Sequence, residues 1–284
     1  MTAAREVPRA AVIGWPVAHS RSPLIHNYWL SLYGIPGRYE RLAIAPADLG
    51  AFIAGFAAQA LVGCNVTVPH KEEVARLVAI ADPETRRLGS VNTLWLADGA
   101  LLATSTDGYG FLASLRQADA DFDPARHDVL ILGAGGAARA IVAALQGAGA
   151  RRIRVANRTA ERAVTLAGDL GATVIPIPWS GLPEALAATG LLVNATTLGM
   201  AGKPPLAIDL SPLPKDALVA DIVYVPLETE LLRQARARGH RCVDGLGMLL
   251  HQAVPGFERW FGRRPAVTPE LRALLVRDLM ESKG

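Results

Sequence analysis

The sequence predicts an α/β protein of two domains. Three observations carry that expectation. Over roughly the first hundred residues, short apolar runs alternate with amphipathic stretches, the pattern of strands joined by helical crossovers. From Val129 an apolar run meets Gly133-Ala134-Gly135-Gly136-Ala137-Ala138, then an alanine-rich stretch and a second apolar run. That is the strand-turn-helix-strand order of a Rossmann-type unit. Near the end, Leu246, Leu249, Leu250, Ala253, Phe257, Trp260 and Phe261 form a helical apolar stripe that needs a partner surface, with Gln252 off its centre. The expected architecture is an N-terminal α/β substrate domain completed by the C-terminal helices, residues 1–107 with 245–284. A Rossmann-type dinucleotide-binding domain, residues 108–244, lies between, with a cleft spanned at two hinges.

Taken in order, the first strand is expected over residues 10–14. A helix follows over 22–32, where Ser22 and Pro23 suit the N-cap and first helical position. A strand over 38–44, a helix over 47–58, a strand over 61–66 and a helix over 69–78 come next. Residues 92–97 and 101–104 read as a hairpin, because Asp98-Gly99 between them tolerates positive φ at both turn positions. A helix over 108–118 leads into the second domain, whose strands are expected at 129–132, 153–156, 173–177, 191–194, 218–222 and 241–243. Residues 202–214 read as a loop.

With 284 residues, 51% hydrophobic and 19% charged, the chain can bury two moderate cores. Residues 1–9 hold Arg5, Glu6, Pro8 and Arg9 and lack the charged-then-apolar pattern of an export signal, so a cytoplasmic location is expected. The most apolar stretch, residues 129–150, is interrupted by Arg139 and five glycines, so no membrane span is expected. Only Cys64 and Cys242 are present, which excludes a disulfide framework. The six histidines show no ligand spacing, so no metal is expected. The net charge of +3 comes from dispersed arginines, a pattern for small anionic ligands rather than nucleic acid. A monomer or homodimer is expected.

Gly133, Gly135 and Ala138 fit G-x-G-x-x-G/A, in which a tight turn brings backbone N–H groups against a pyrophosphate at a helix N-terminus. The second strand then chooses the dinucleotide. An NAD site places Asp or Glu there for the ribose 2′-OH, whereas this chain has Asn157-Arg158-Thr159, with Arg162 one helical turn later. Two charge-assisted bonds from Arg158 and Arg162 to a 2′-phosphate, at about 1.5 kcal/mol each, amount to a preference on the order of a hundredfold for NADP.

Polar residues just after apolar runs mark the ligand side of an open sheet. Ser20 and Ser22 flank Arg21 after the first strand, and capping requires only Ser22. Asn65 and Thr67 alternate on one side of the next segment, followed by Lys71. Lysine is scarce here, at Lys71, Lys203, Lys215 and Lys283 only, and a cation in a helix's first turn opposes the macrodipole. Asp107 either caps the helix after it or pairs with Lys71, giving a proton donor and a carboxylate that orients it, as carbonyl reduction by NADPH requires.

Together these segments resemble the shikimate dehydrogenase family over nearly the entire chain. The marks are Ser20-Arg21-Ser22-Pro23, Asn65-Val66-Thr67-Val68-Pro69-His70-Lys71, Val91-Asn92-Thr93 and Thr106-Asp107-Gly108 in the first part. Further on come the glycine turn, Asn157-Arg158-Thr159, Asn194-Ala195-Thr196, Gly199-Met200, Asp221-Ile222-Val223-Tyr224 with Pro226, and Gly245 through Met248 to Gln252. The resemblance implies that Ser20 and Ser22 bind the substrate carboxylate, helped by Tyr224. It assigns the ring hydroxyls to Asn65, Thr67, Asn92, Asp107 and Gln252, and catalysis to Lys71 with Asp107. NADP would lie on Gly133, Ala134, Gly135, Gly136, Ala137, Asn157, Arg158, Thr159 and Arg162, with Thr196, Met200, Ile222, Gly245 and Met248 flanking the nicotinamide. One departure is Ser105, where the family commonly has Asn.

The implied activity is the reversible NADPH-dependent reduction of 3-dehydroshikimate to shikimate in aromatic amino-acid biosynthesis. A quinate or aminoshikimate dehydrogenase is the alternative on the same scaffold, and an NADP-binding redox-sensing module is the non-enzymatic one.

Overall fold

Strand β1 (Arg9–Gly14) is buried at every residue after its first, which is why it reads as an unbroken apolar run. Ala11 and Ile13 enter one core of the first sheet, Ala10 and Val12 the other. The computed structural model describes residues 7–281 and divides into two units. One runs to Thr106 and resumes over Gln252–Asp278; the other covers Asp107–His251 and takes up the chain again from Leu279.

In the first unit β1 is followed by α1 (Ser22–Leu32), β2 (Arg38–Ala43), α2 (Leu49–Ala54), β3 (Gly63–Val66), α3 (Lys71–Leu77), β4 (Ala79–Ile80), α4 (Pro83–Leu88), β5 (Thr93–Ala97) and β6 (Ala100–Thr104). The sheet order is β2-β1-β3-β5-β6-β4. β1 is parallel to β2 and β3, while β5 runs antiparallel to β3 and β6. Asp98 (φ 50°) and Gly99 (φ 79°) both adopt left-handed backbone, as the tight β5–β6 turn requires.

Three helix expectations change. The helix over 47–58 is broken: 3₁₀ turns at Pro46–Asp48 and Phe56–Gln59 flank α2, which stops at Gly55. The helix over 69–78 begins only at Lys71, with His70 as its N-cap. Arg21, not Ser22, is the N-cap of α1, and no side chain caps it. The short β4 and α4 are additions, α4 being capped by Asp82, whose Oδ1 accepts from the Thr85 N–H at 2.7 Å. Strand ends elsewhere differ from expectation by a residue or two.

The second unit contains α5 (Asp107–Ala118), β7 (Val129–Leu132), α6 (Gly136–Gly147), β8 (Ile153–Ala156), α7 (Ala160–Leu170), β9 (Val174–Ile177), α8 (Leu182–Ala187), β10 (Leu191–Asn194), β11 (Leu218–Asp221), α9 (Glu230–Ala237) and β12 (Arg241–Val243). All six strands are parallel, in the order β12-β11-β10-β7-β8-β9. Val129 and Ile131 of β7 enter one core and Leu130 and Leu132 the other, so this sheet is covered on both faces. Strand order reverses between β7 and β10, the switch point where open α/β sheets take ligands.

Helix α10 (Gly245–Phe261) begins in the second unit and ends in the first, and α11 (Pro269–Glu281) follows it. Trp260 packs with Ala10, Val12 and Tyr39, and its Nε1 donates to Leu94 O at 3.0 Å. That approach needs Gly63 beneath it, where a Cβ would stand 1.9 Å from the indole nitrogen. Among the described residues no helix is long and apolar enough to cross a membrane.

Candidate active site

In the first unit the expected strand-end substrate residues sit at or just beyond the carboxyl ends of β1 and β3 and at the amino end of the antiparallel β5. Ser20 lies in the turn after β1, where its carbonyl accepts from Arg41 Nε (3.0 Å) and Nη2 (2.7 Å) and its Oγ accepts from the Ser22 N–H at 3.3 Å. Ser22 is the first residue of α1 and buried, and its hydroxyl is not spent on capping. Thr67 is fixed by its backbone, donating to Ile13 O at 2.9 Å and accepting from the His70 N–H at 3.0 Å. Lys71 opens α3, half-buried, and its carbonyl accepts from the Val91 N–H at 3.0 Å.

Asn65, Asn92 and Gln252 are joined through one buried network. Asn65 Nδ2 donates to Asn92 O (3.0 Å) and Thr93 Oγ1 (3.3 Å). Asn92 Oδ1 accepts from the Thr106 N–H (2.8 Å) and from Thr93 Oγ1 (3.0 Å). Asn92 Nδ2 donates to Thr106 Oγ1 at 3.0 Å and to Gln252 Oε1 at 3.1 Å. Holding Oε1 this way fixes which end of the Gln252 amide faces Asn92. Thr106 closes the ring by donating to Gln252 O at 2.8 Å. Sequence reasoning missed Thr93, Thr106 and Tyr39, whose hydroxyl donates to Asn65 Oδ1 at 2.6 Å. Thr93 and Thr106 lay inside quoted motifs, whereas nothing local marks Tyr39.

In the second unit the glycine turn sits at the end of β7. Gly133 has φ +113°, and a Cβ there would stand 2.8 Å from Ala195 O, so only glycine lets these two segments approach. Gly135 is the extended N-cap of α6, no side chain caps that helix, and nothing lies within 4 Å of where a Gly135 Cβ would be. Ala134, Gly136 and Ala137 complete the turn, half-buried. Backbone donors with open space above them suit a pyrophosphate. Asn157 Nδ2 donates to Thr159 O at 2.8 Å, shaping the turn after β8, and Arg158, Thr159 and Arg162 are exposed beside it. A cradle of this shape, next to two guanidiniums and with Asn157 rather than a carboxylate at the end of β8, fits NADP.

At the ends of β10 and β11, Asn194 Oδ1 accepts from the Thr196 N–H (3.0 Å) and Oγ1 (2.7 Å). Gly245 comes so close to β11 that a Cβ would lie 2.2 Å from Ile222 O. Ile222 and Met248 pack against the unit's core, while Met200 and Tyr224 are half-buried in the loops beyond β10 and β11. Asp107 is the first residue of α5 and 7% exposed, so it lies within the helix rather than at its N-cap. The structure thus gathers Ser20, Ser22, Asn65, Thr67, Lys71, Asn92 and Gln252 in the first unit, and Asp107, Tyr224 and the nucleotide set in the second.

A doubly wound parallel sheet with a glycine cradle, joined to an α/β unit rich in polar strand ends, defines a nucleotide-dependent oxidoreductase. The chain matches the shikimate dehydrogenase substrate binding domain over residues 12–94, shikimate / quinate 5-dehydrogenase over residues 116–200, and the shikimate 5′-dehydrogenase C-terminal domain over residues 245–275. It belongs to the shikimate dehydrogenase family. It is 56% identical to the shikimate dehydrogenase (NADP(+)) of Methylocella silvestris, over 96% of this chain and 97% of that one. Among solved structures it resembles the Thermus thermophilus shikimate 5-dehydrogenase in complex with NADP(H) and shikimate (TM-score 0.84, 35% identity, 96% of this chain and 99% of that one). It also resembles the Corynebacterium glutamicum quinate dehydrogenase in complex with NAD (TM-score 0.87, 31% identity, 95% and 99%).

Proposed function

We propose that this protein catalyses the reversible NADPH-dependent reduction of 3-dehydroshikimate to shikimate in the cytoplasm. The first unit takes the acid and the second the dinucleotide. The reading rests above all on near-full-length kinship with NADP(+)-dependent shikimate dehydrogenases.

The first unit binds a small carboxylated polyol. Ser20 and Ser22 offer hydroxyls to the carboxylate, with Tyr224 assisting. Asn65, Thr67, Asn92 and Gln252 surround the ring hydroxyls, and the bonds among them fix which end of each amide a ligand meets. When bound on Gly133–Ala137, Asn157, Arg158, Thr159 and Arg162, NADPH supplies a hydride to the carbonyl carbon. Thr196, Met200, Ile222, Gly245 and Met248 are the residues assigned to its nicotinamide end. Lys71 gives a proton to the carbonyl oxygen during reduction and takes it back from the hydroxyl during oxidation, and Asp107 is the carboxylate assigned to catalysis with it.

Asn157-Arg158-Thr159 favours NADP, while the likeness to an NAD-bound quinate dehydrogenase makes quinate the substrate to test against. A spectrophotometric panel of shikimate and quinate, each with NADP and NAD, decides. Fast reduction with shikimate and NADP is expected. Absence of any absorbance change with shikimate overturns the assignment, and faster turnover of quinate with NAD replaces it.

A further inference from the structure

Tyr39 is a buried residue of β2 that none of the expected roles uses. It is 3% exposed and held at its backbone by Asn27, whose Nδ2 donates to Tyr39 O and whose Oδ1 accepts from the Tyr39 N–H, both at 2.9 Å. Its ring lies parallel to His26 at 4.1 Å, the two planes 3° apart, with Trp260 tilted against it at 6.0 Å. The stacked His26 ring and the two backbone bonds from Asn27 hold the phenol in place.

The hydroxyl therefore has a fixed address. It donates to Asn65 Oδ1 at 2.6 Å, and the Ser22 side chain sits against the same phenolic oxygen. Burial pushes the phenol's pKa well up, so it stays a donor at any working pH. Asn65 already spends both amide hydrogens on Asn92 O and Thr93 Oγ1. What remains to it is the second lone pair of Oδ1. Asn65 can thus meet a ligand only as an acceptor, and the ligand group opposite must be a hydrogen-bond donor, which on shikimate is a hydroxyl.

We propose that Tyr39, clamped by His26, is a positioning residue that selects a hydroxyl-bearing substrate by fixing the acceptor orientation of Asn65 beside Ser22. This rests on the reading of shikimate as substrate. Tyr39→Phe keeps the ring, the stack and the packing and removes only the hydroxyl. The KM for shikimate is expected to rise about tenfold, the loss of one buried hydrogen bond, with kcat and the KM for NADP each within about twofold of wild type. The discriminating measurement is a double-mutant cycle with Asn65→Ala. If Tyr39 acts through Asn65, Tyr39→Phe adds almost no further rise in the Asn65→Ala background.

An unchanged KM in Tyr39→Phe, or an equal penalty in both backgrounds, overturns the proposal. So does a parallel fall of kcat, both KM values and melting temperature, which marks a merely structural tyrosine. Wild-type protein inert toward shikimate removes the functional reading as well, whereas an active wild type with an indifferent Tyr39→Phe removes this inference alone.

Discussion

Asn194 and Asp221 face each other in register on the neighbouring parallel strands β10 and β11, and Asn194 Nδ2 donates to Asp221 Oδ1 at 2.9 Å. The carboxylate also accepts from the Val223 N–H (2.9 Å) and from Thr229 Oγ1 (2.7 Å). Asn194 in turn holds Thr196. One buried amide–carboxylate pair thus ties down the two loops carrying Thr196 and Ile222, residues assigned to the nicotinamide. Burial raises the Asp221 pKa above the ordinary carboxylate value, outweighing the three donors.

Asp221→Ala removes the acceptor of three donors at once. A loss of about 3 kcal/mol in folding stability is expected, since each buried group left unpaired costs roughly 1–3 kcal/mol and some will find other partners. The KM for NADP should rise with it, because the loops beyond β10 and β11 lose their anchor. Asp221→Asn is expected to be milder, with its N–H₂ turned toward Thr229. Urea unfolding and cofactor titration check both; an Asp221→Ala protein with wild-type values of each would show that the pair anchors nothing.

His26 sets a pH dependence. Burial pulls the imidazole pKa down to about 3 from 6.5, outweighing the upward pull of the nearby Asn65 side chain. The unfolded chain takes up this proton near pH 6.5 while the folded one refuses it until about pH 3. Stability from this group is therefore complete above pH 6.5 and is lost as pH falls through that window, at about 1.4 kcal/mol per pH unit. His26→Phe is expected to unfold with about one fewer proton taken up near pH 5, read from the slope of unfolding free energy against pH. Parallel slopes in the two proteins would place the acid sensitivity elsewhere.

The nucleotide unit was legible because its signals are local. β7 is apolar at all four positions, Gly133 needs positive φ, and the missing acid at Asn157-Arg158 is read directly. The β5–β6 hairpin declared itself through Asp98-Gly99. What stayed hidden depends on long-range contacts or competing local ones. Tyr39 stands in the charged sequence of β2 and gains its meaning from Asn65, twenty-six residues on. The locking of Gln252 by Asn92 joins residues 160 positions apart. The apolar pattern of 47–58 continued through Gly55, where the backbone turns to 3₁₀. The Asp82-Pro83 start of α4 was a readable cap, but six residues carry too little periodicity to declare a helix.

Arg158 is exposed at the end of β8, so Arg158→Ala removes charge without opening the core. If its guanidinium clamps the 2′-phosphate, one charge-assisted bond, about 1.5–3 kcal/mol, is lost from NADP and none from NAD. The KM for NADP should rise on the order of tenfold or more, with that for NAD unchanged and kcat for shikimate nearly constant. Arg158→Ala combined with Arg162→Ala should narrow the preference further. An unaltered NADP/NAD ratio in the double variant would assign the phosphate to other groups.

Lys71 carries the sharpest kinetic expectation. It opens α3 shortly after the Asn65–Thr67 segment. Lys71→Met preserves the aliphatic stem and removes only the proton carrier. General acid–base groups contribute roughly 10²–10⁴-fold, and an interaction used chiefly in the transition state lowers kcat while leaving substrate affinity in place. A fall in kcat of that size, with the KM for shikimate changed by no more than about threefold, is the expected outcome. Steady-state kinetics in both directions checks it, since one residue that gives and takes the same proton must slow reduction and oxidation alike. Loss in KM alone would make Lys71 a binding residue, and an unchanged kcat would leave the proton to a group other than this ammonium.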